Sequence, residues 1–157
     1  MKVNLPDEAA TLSIAAAMGR CLPARLILFL EGQLGAGKTT LVRGMIQSLG
    51  YAGKVKSPTY GLVERYQLAD ILIHHLDLYR LGHPEELEFL GIRDIIAEPG
   101  VLAIEWPERG SGMLPQADVI CHLRVLNEGR ELRLRAGCEA GRLWIDCVAD
   151  KYSASNN

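Results

Sequence analysis

The stretch "LFLEGQLGAGKTTLVRGMIQSLG", Leu28 to Gly50, decides the fold. It opens with an apolar run, continues through a glycine-rich turn, and closes with a segment that predicts a helix from Lys38 to about Leu49, stopped by Gly50. Gly32-Gln33-Leu34-Gly35-Ala36-Gly37-Lys38-Thr39 fits the eight-position G-x-x-x-x-G-K-[ST] pattern at every position. Glycines let the backbone wrap with its N–H groups turned inward, and the helix that follows presents further donors, so the loop forms a cradle for phosphate. Lys38 is expected to reach the β- and γ-phosphates, and Thr39 to offer its hydroxyl to Mg²⁺. Thr40 supplies a neighbouring hydroxyl. The expected ligand is a nucleoside triphosphate.

Working outward, "ARLILFLEG" reads as a strand buried on both faces, and "GVLAIEWPERG" as another that runs into a turn at Pro107. "ILIHHLDLYRL" is a strand with a polar tip, and "HPEELEFLG" a short acidic helix stopped by Gly91. Upstream, Pro6-Asp7-Glu8 caps a helix ending near Gly19. Downstream, "DVICHLRVL", "RELRLRAG" and "GRLWIDCV" predict three short strands joined by tight links, hence hairpins extending the sheet antiparallel. The expected architecture is α/β: one P-loop domain over residues 1–150, a mixed sheet flanked by helices, and a frayed tail over 151–157.

Bulk properties narrow the function. A length of 157 residues suits one domain, and 48% hydrophobic with 23% charged residues is ordinary for a globular chain. A net charge of -2 argues against generic binding to nucleic acid by overall charge. Cys21, Cys121, Cys138 and Cys147 lack the paired spacing of a structural zinc site; three of the four sit in apolar or alternating stretches and read as small core residues in a reduced compartment. No apolar run is long enough for a signal peptide or a membrane span, so the expected location is the cytoplasm.

A phosphate loop needs a carboxylate at a neighbouring strand end to hold its metal. Asp77 closes "ILIHHLD" and Glu105 closes "VLAIE", and spacing alone does not divide metal and water-orienting roles between them. Ser57 and Thr59 in "KSPTY" offer hydroxyls on a proline-stiffened turn, either a γ-phosphate-sensing switch or an ordinary turn. Trp106 stacks over a ligand or partner, or covers the sheet edge. Arg133 and Arg135 share one face of their strand, either a solvated edge or a patch for tRNA or an acidic partner. Three classes remain open on these residues: an ATPase, a small kinase with an arginine-bearing lid, and an ATP-sensing module. No N-K-x-D guanine motif is present.

"GQLGAGKTT", "SPTY", "HLDLYR", "EELEFLG" and "IEWPERG", in this order, resemble the TsaE family, the small bacterial ATPase of tRNA threonylcarbamoyladenosine modification. The resemblance implies ATP and Mg²⁺ as cofactors, with Lys38, Asp77 and Glu105 in catalysis and Thr39, Asp77 and Glu105 on the metal. It implies nucleotide contacts from Gln33, Leu34, Gly35, Ala36, Gly37, Lys38, Thr39, Thr40, Thr59 and Trp106. It further implies the TsaD-TsaB complex as partner, reset by ATP hydrolysis, with tRNA reached through that complex. Gln33 stands where members of the family usually carry aspartate, which leaves triphosphate binding expected and the local hydrogen bonding open.

Overall fold

The computed structural model describes residues 1–58 and 61–155. In chain order the elements are β1 (Lys2–Leu5), α1 (Glu8–Arg20), β2 (Leu26–Glu31), α2 (Lys38–Ser48), β3 (Val63–Leu68), β4 (Ile71–Asp77), α3 (Glu86–Phe89), α4 (Ile92–Ala97), β5 (Val101–Glu105), a 3₁₀ turn (Pro107–Gly110), β6 (Val119–Val125), β7 (Arg130–Ala136) and α5 (Glu139–Ser155).

Among the described residues one mixed sheet runs in the order β1-β7-β6-β2-β5-β4-β3. Its centre, β6-β2-β5-β4, is parallel, and antiparallel strands close both sides. The central strands β2 and β5 are apolar up to their terminal acids because both faces are covered, whereas β4 carries His74 and His75 within it. Leu28, Leu30, Val101 and Ala103 join one core with α1, α2 and α5, whereas Leu76, Leu102 and Ile104 join the other, under α3 and α4. Side chains alternate between the two cores with the period of two that a strand imposes. The C-terminal ends of β2, β4 and β5 therefore gather along one rim, where ligands of open α/β sheets bind.

Local signals account for the helix boundaries. Asp7 caps α1 by accepting from the Ala10 N–H at 2.8 Å. α1 lies tightly against α2, since a Cβ on Gly44 would stand 2.7 Å from the Ala15 methyl.

The C-terminal third departs from expectation. β6 and β7 form the predicted hairpin, but "GRLWIDCV" is helix, part of α5. Its buried residues Gly141, Trp144, Ile145 and Val148 follow the i, i+3, i+4, i+7 spacing of one helix face. The residues 151–155 continue that helix instead of fraying. Residues 156–157 lie outside the described residues. β1, unanticipated, pairs with the outer side of β7, so Arg133 and Arg135 do not sit on an edge strand. Finally, Cys21 and Cys147 form a disulfide across a separation of 126 residues, which overturns the reading of these two as reduced core cysteines. Spacing hides this pairing, because only the packing of α5 on α1 brings them together. Cys121 is a buried free thiol, as expected, and burial pushes its pKa far up.

Candidate nucleotide site

β2 ends at Glu31 and the chain turns through Gly32–Gly37 into α2. Gly37 occupies the N-cap position with φ 103°, a left-handed conformation, and makes no side-chain cap. A Cβ there would be strained and would press on the Arg130 side chain at 3.2 Å. The first-turn N–H groups of α2 lack intrahelical acceptors, so the helix start is an anion-binding end.

Lys38 is 4% exposed. Its ammonium donates to the carbonyls of Gly32 (2.7 Å) and Gln33 (3.0 Å) and lies 4.2 Å from the Trp106 ring centroid. Burial pushes its pKa below the ordinary lysine value, against the opposing pull of Glu105, Asp77 and Glu108. Trp106 adopts φ 57°, left-handed for a bulky residue, which costs on the order of 1–3 kcal/mol and marks a constrained position. Its ring also packs on Tyr79, with centroids 4.9 Å apart.

Asp77 and Glu105, 6% and 3% exposed, end adjacent strands in register. Thr39 Oγ1 donates to Glu105 Oε1 at 2.7 Å, and His75 Nε2 meets the same oxygen at 2.8 Å. Asp77 Oδ1 accepts from the Tyr79 N–H at 3.0 Å. One hydroxyl and two carboxylates are the hard oxygen donors that suit Mg²⁺, an ion commonly held by one or two carboxylates plus substrate phosphates. No group of three or more His, Cys, Asp or Glu side chains placed to hold a metal ion occurs among the described residues.

A cleft of about 260 Å³ opens between these groups. Leu34, Gly35, Gly37, Lys38, Thr39, Thr40, Asp77, Glu105 and Trp106 line it, bringing together most of the residues singled out from the sequence. Gln33 does not line it and meets the site only through its carbonyl, which accepts from Lys38, and Ala36 is turned into the core. Thr59, with Tyr60, lies outside the described residues. Ser57 and Pro58 precede them, and the Pro58 carbonyl accepts from the Leu62 N–H at 2.7 Å. Two lining residues were not expected there. Tyr79 had only its place beside Asp77 to signal it, and Arg130, from the start of β7, had none in local sequence.

Fold and site together define a P-loop nucleotide-binding α/β protein. The family model described as "Threonylcarbamoyl adenosine biosynthesis protein TsaE" matches residues 5–133. A tRNA threonylcarbamoyladenosine biosynthesis protein TsaE of Haemophilus influenzae is 44% identical over 151 residues, covering 93% of this chain and 96% of that one. The protein of the same description from a Nostoc species is 42% identical over 112 residues, covering 69% and 68%. The crystal structure of Bacillus subtilis YdiB superposes with a TM-score of 0.80 over 100% of this chain and 96% of that one; at 24% identity it speaks for the fold. The chain belongs to the TsaE family, the P-loop ATPase component of tRNA threonylcarbamoyladenosine modification.

Proposed function

We propose that this chain binds Mg²⁺-ATP in the cleft and hydrolyses it to reset the TsaD-TsaB complex between rounds of tRNA modification, meeting tRNA through that complex. The observation that carries the reading is the Thr39–Glu105 hydrogen bond of 2.7 Å, which joins the anion-binding end of α2 to a strand-end carboxylate beside Lys38. Mg²⁺, which Thr39, Glu105 and Asp77 would hold, would supply positive charge against the negative charge that develops on the phosphoryl group. Lys38 exchanges its two carbonyl partners for phosphate oxygens, and the loop N–H groups hold the remainder of the phosphate chain. Thr39 and Glu105 serve the metal. Asp77, next to Glu105, shares that duty and orients the attacking water. Trp106 covers the Lys38 ammonium and keeps solvent from it.

A cytoplasmic setting goes with these partners. Among the described residues no helix is long and apolar enough to cross a membrane.

Phosphate release by the purified chain, alone and with TsaD-TsaB and tRNA, tests the proposal. Low release alone, raised by the pair and abolished in Lys38→Ala, is expected. No stimulation by demonstrably active partners would overturn it, and transfer of label to a metabolite would favour a kinase.

A further inference from the structure

His75 is fully buried two residues before Asp77, on the same face of β4. Its partner in register on β5 is Ala103, whose small side chain leaves room for the imidazole to lean along the strand toward Glu105. There Nε2 meets Glu105 Oε1 at 2.8 Å. An ionised carboxylate only accepts, so Nε2 carries the proton and donates. Nδ1 is buried without a hydrogen-bond partner among the described residues, so no second bond anchors the ring. The Nε2–H···Glu105 bond is then the specific polar interaction that this fully buried imidazole makes.

Glu105 Oε1 thus receives two bonds, from Thr39 and from His75, and Oε2 is the oxygen neither of them uses. The two anchors differ in permanence. The Thr39 hydroxyl stands at the cleft and is lost to Glu105 whenever it turns to a cation, whereas His75 lies behind the carboxylate in the sheet.

We infer that His75 is a positioning residue for metal binding: it fixes the Glu105 carboxylate once Thr39 has turned to the ion. The inference rests on Glu105 serving the metal, as proposed above. Hydrogen bonds behind a ligating carboxylate change metal affinity by about 10- to 100-fold when removed.

Mn²⁺ binding to the full chain in the presence of ADP, followed by the electron paramagnetic resonance signal of free Mn²⁺, reads this without turnover. His75→Leu is expected to weaken Mn²⁺ by about 10-fold or more, with metal-free ADP affinity unchanged. His75→Gln, whose amide can donate to Glu105, is expected to recover most of the loss. Wild-type Mn²⁺ affinity in folded His75→Leu would overturn the inference, as would a His75→Gln defect equal to that of His75→Leu. Glu105→Gln separates the layers: if it too leaves Mn²⁺ unaffected, the metal role of Glu105 fails; if it alone weakens Mn²⁺, only the role of His75 fails. Should His75→Leu not fold, ¹⁵N–¹H spectra of the wild-type imidazole decide. An Nε2–H tautomer whose Nε2 resonance shifts in Glu105→Gln, and which persists with Mg²⁺-ADP, is expected. Loss of that hydrogen bond on adding Mg²⁺-ADP would overturn the inference.

Discussion

Asp77 and Glu105 stand side by side as the last residues of neighbouring parallel strands, both almost fully buried, yet they are held in different ways. Glu105 is tied to Thr39 of the phosphate loop and to His75, whereas Asp77 accepts from the Tyr79 N–H of its own turn. Asp77→Asn keeps size and can keep that turn bond through its amide oxygen, while it removes the charge and one acceptor oxygen. The expected outcome is an unchanged Tm with partner-stimulated phosphate release lowered about 100-fold or more. Unchanged release would leave Asp77 a turn-forming residue only.

Lys38 and Trp106 predict an optical signal. The ammonium lies 4.2 Å from the Trp106 centroid, and phosphate must draw it toward the loop N–H groups. Adding Mg²⁺-ATP is expected to change Trp106 emission, while Trp144, 3% exposed on the core-facing side of α5, provides a constant background. Lys38→Ala is expected to abolish the change and to weaken ATP binding by about 100-fold, as loss of a charge-assisted contact in a buried site implies. A nucleotide-induced change that survives in Lys38→Ala would detach Trp106 from the lysine.

Much of this site was legible because its chemistry is encoded in short contiguous runs. The loop, the two strand-end acids and Trp106 each follow an apolar strand, and a strand of known length fixes where its tip lies. The Arg130 position and the helix over Gly141–Val148 were not legible for opposite reasons. Arg130 reaches the cleft only through sheet order, which places the start of β7 near Gly37. The Trp144-Ile145 segment carries residues of high strand propensity after a glycine link, and tertiary packing of Trp144, Ile145 and Val148 overrides that preference.

Gly44 gives a stability prediction in which two effects compete. Alanine gains about 1 kcal/mol over glycine in a helix interior. Here its methyl would stand 2.7 Å from the Ala15 methyl and 3.1 Å from Leu12 Cδ2, and Ala15 cannot swing away. Overpacking of this kind costs about 1–3 kcal/mol. Gly44→Ala is therefore expected to lower Tm, whereas a rise would mean that α1 and α2 separate easily.

Glu131 links acid stability to β1. Lys2 Nζ at 2.8 Å and Arg133 both donate to its carboxylate, holding its pKa down at about 2 instead of 4.5. A depressed folded-state pKa means stability that is complete above the ordinary carboxylate range and lost as pH falls from 4.5 toward about 2. A carboxyl titration by NMR is expected to place the Glu131 midpoint near the lower value. Glu131→Gln is expected to flatten the acid limb of the stability curve, and a midpoint near 4.5 would show that Lys2 and Arg133 do not hold this carboxylate in solution.

Cys21 closes α1 and Cys147 lies within α5, so their disulfide staples the two helices on the α2 side of the sheet. Cross-linking so distant a pair constrains the unfolded chain, an effect typically worth about 2–4 kcal/mol. Neither cysteine lines the cleft, so nucleotide binding is expected to be indifferent to the bond. Reducing conditions favour the open dithiol, and α5 is then held without the cross-link, by packing that includes Trp144, Ile145 and Val148. Thermal unfolding with and without reductant is expected to show a lower Tm on reduction, with Cys147→Ser matching the reduced wild type and insensitive to reductant. Equal Tm values in all states would mean that the two thiols do not pair in solution, and a loss of ATP affinity on reduction would mean that the staple reaches the phosphate loop through α1.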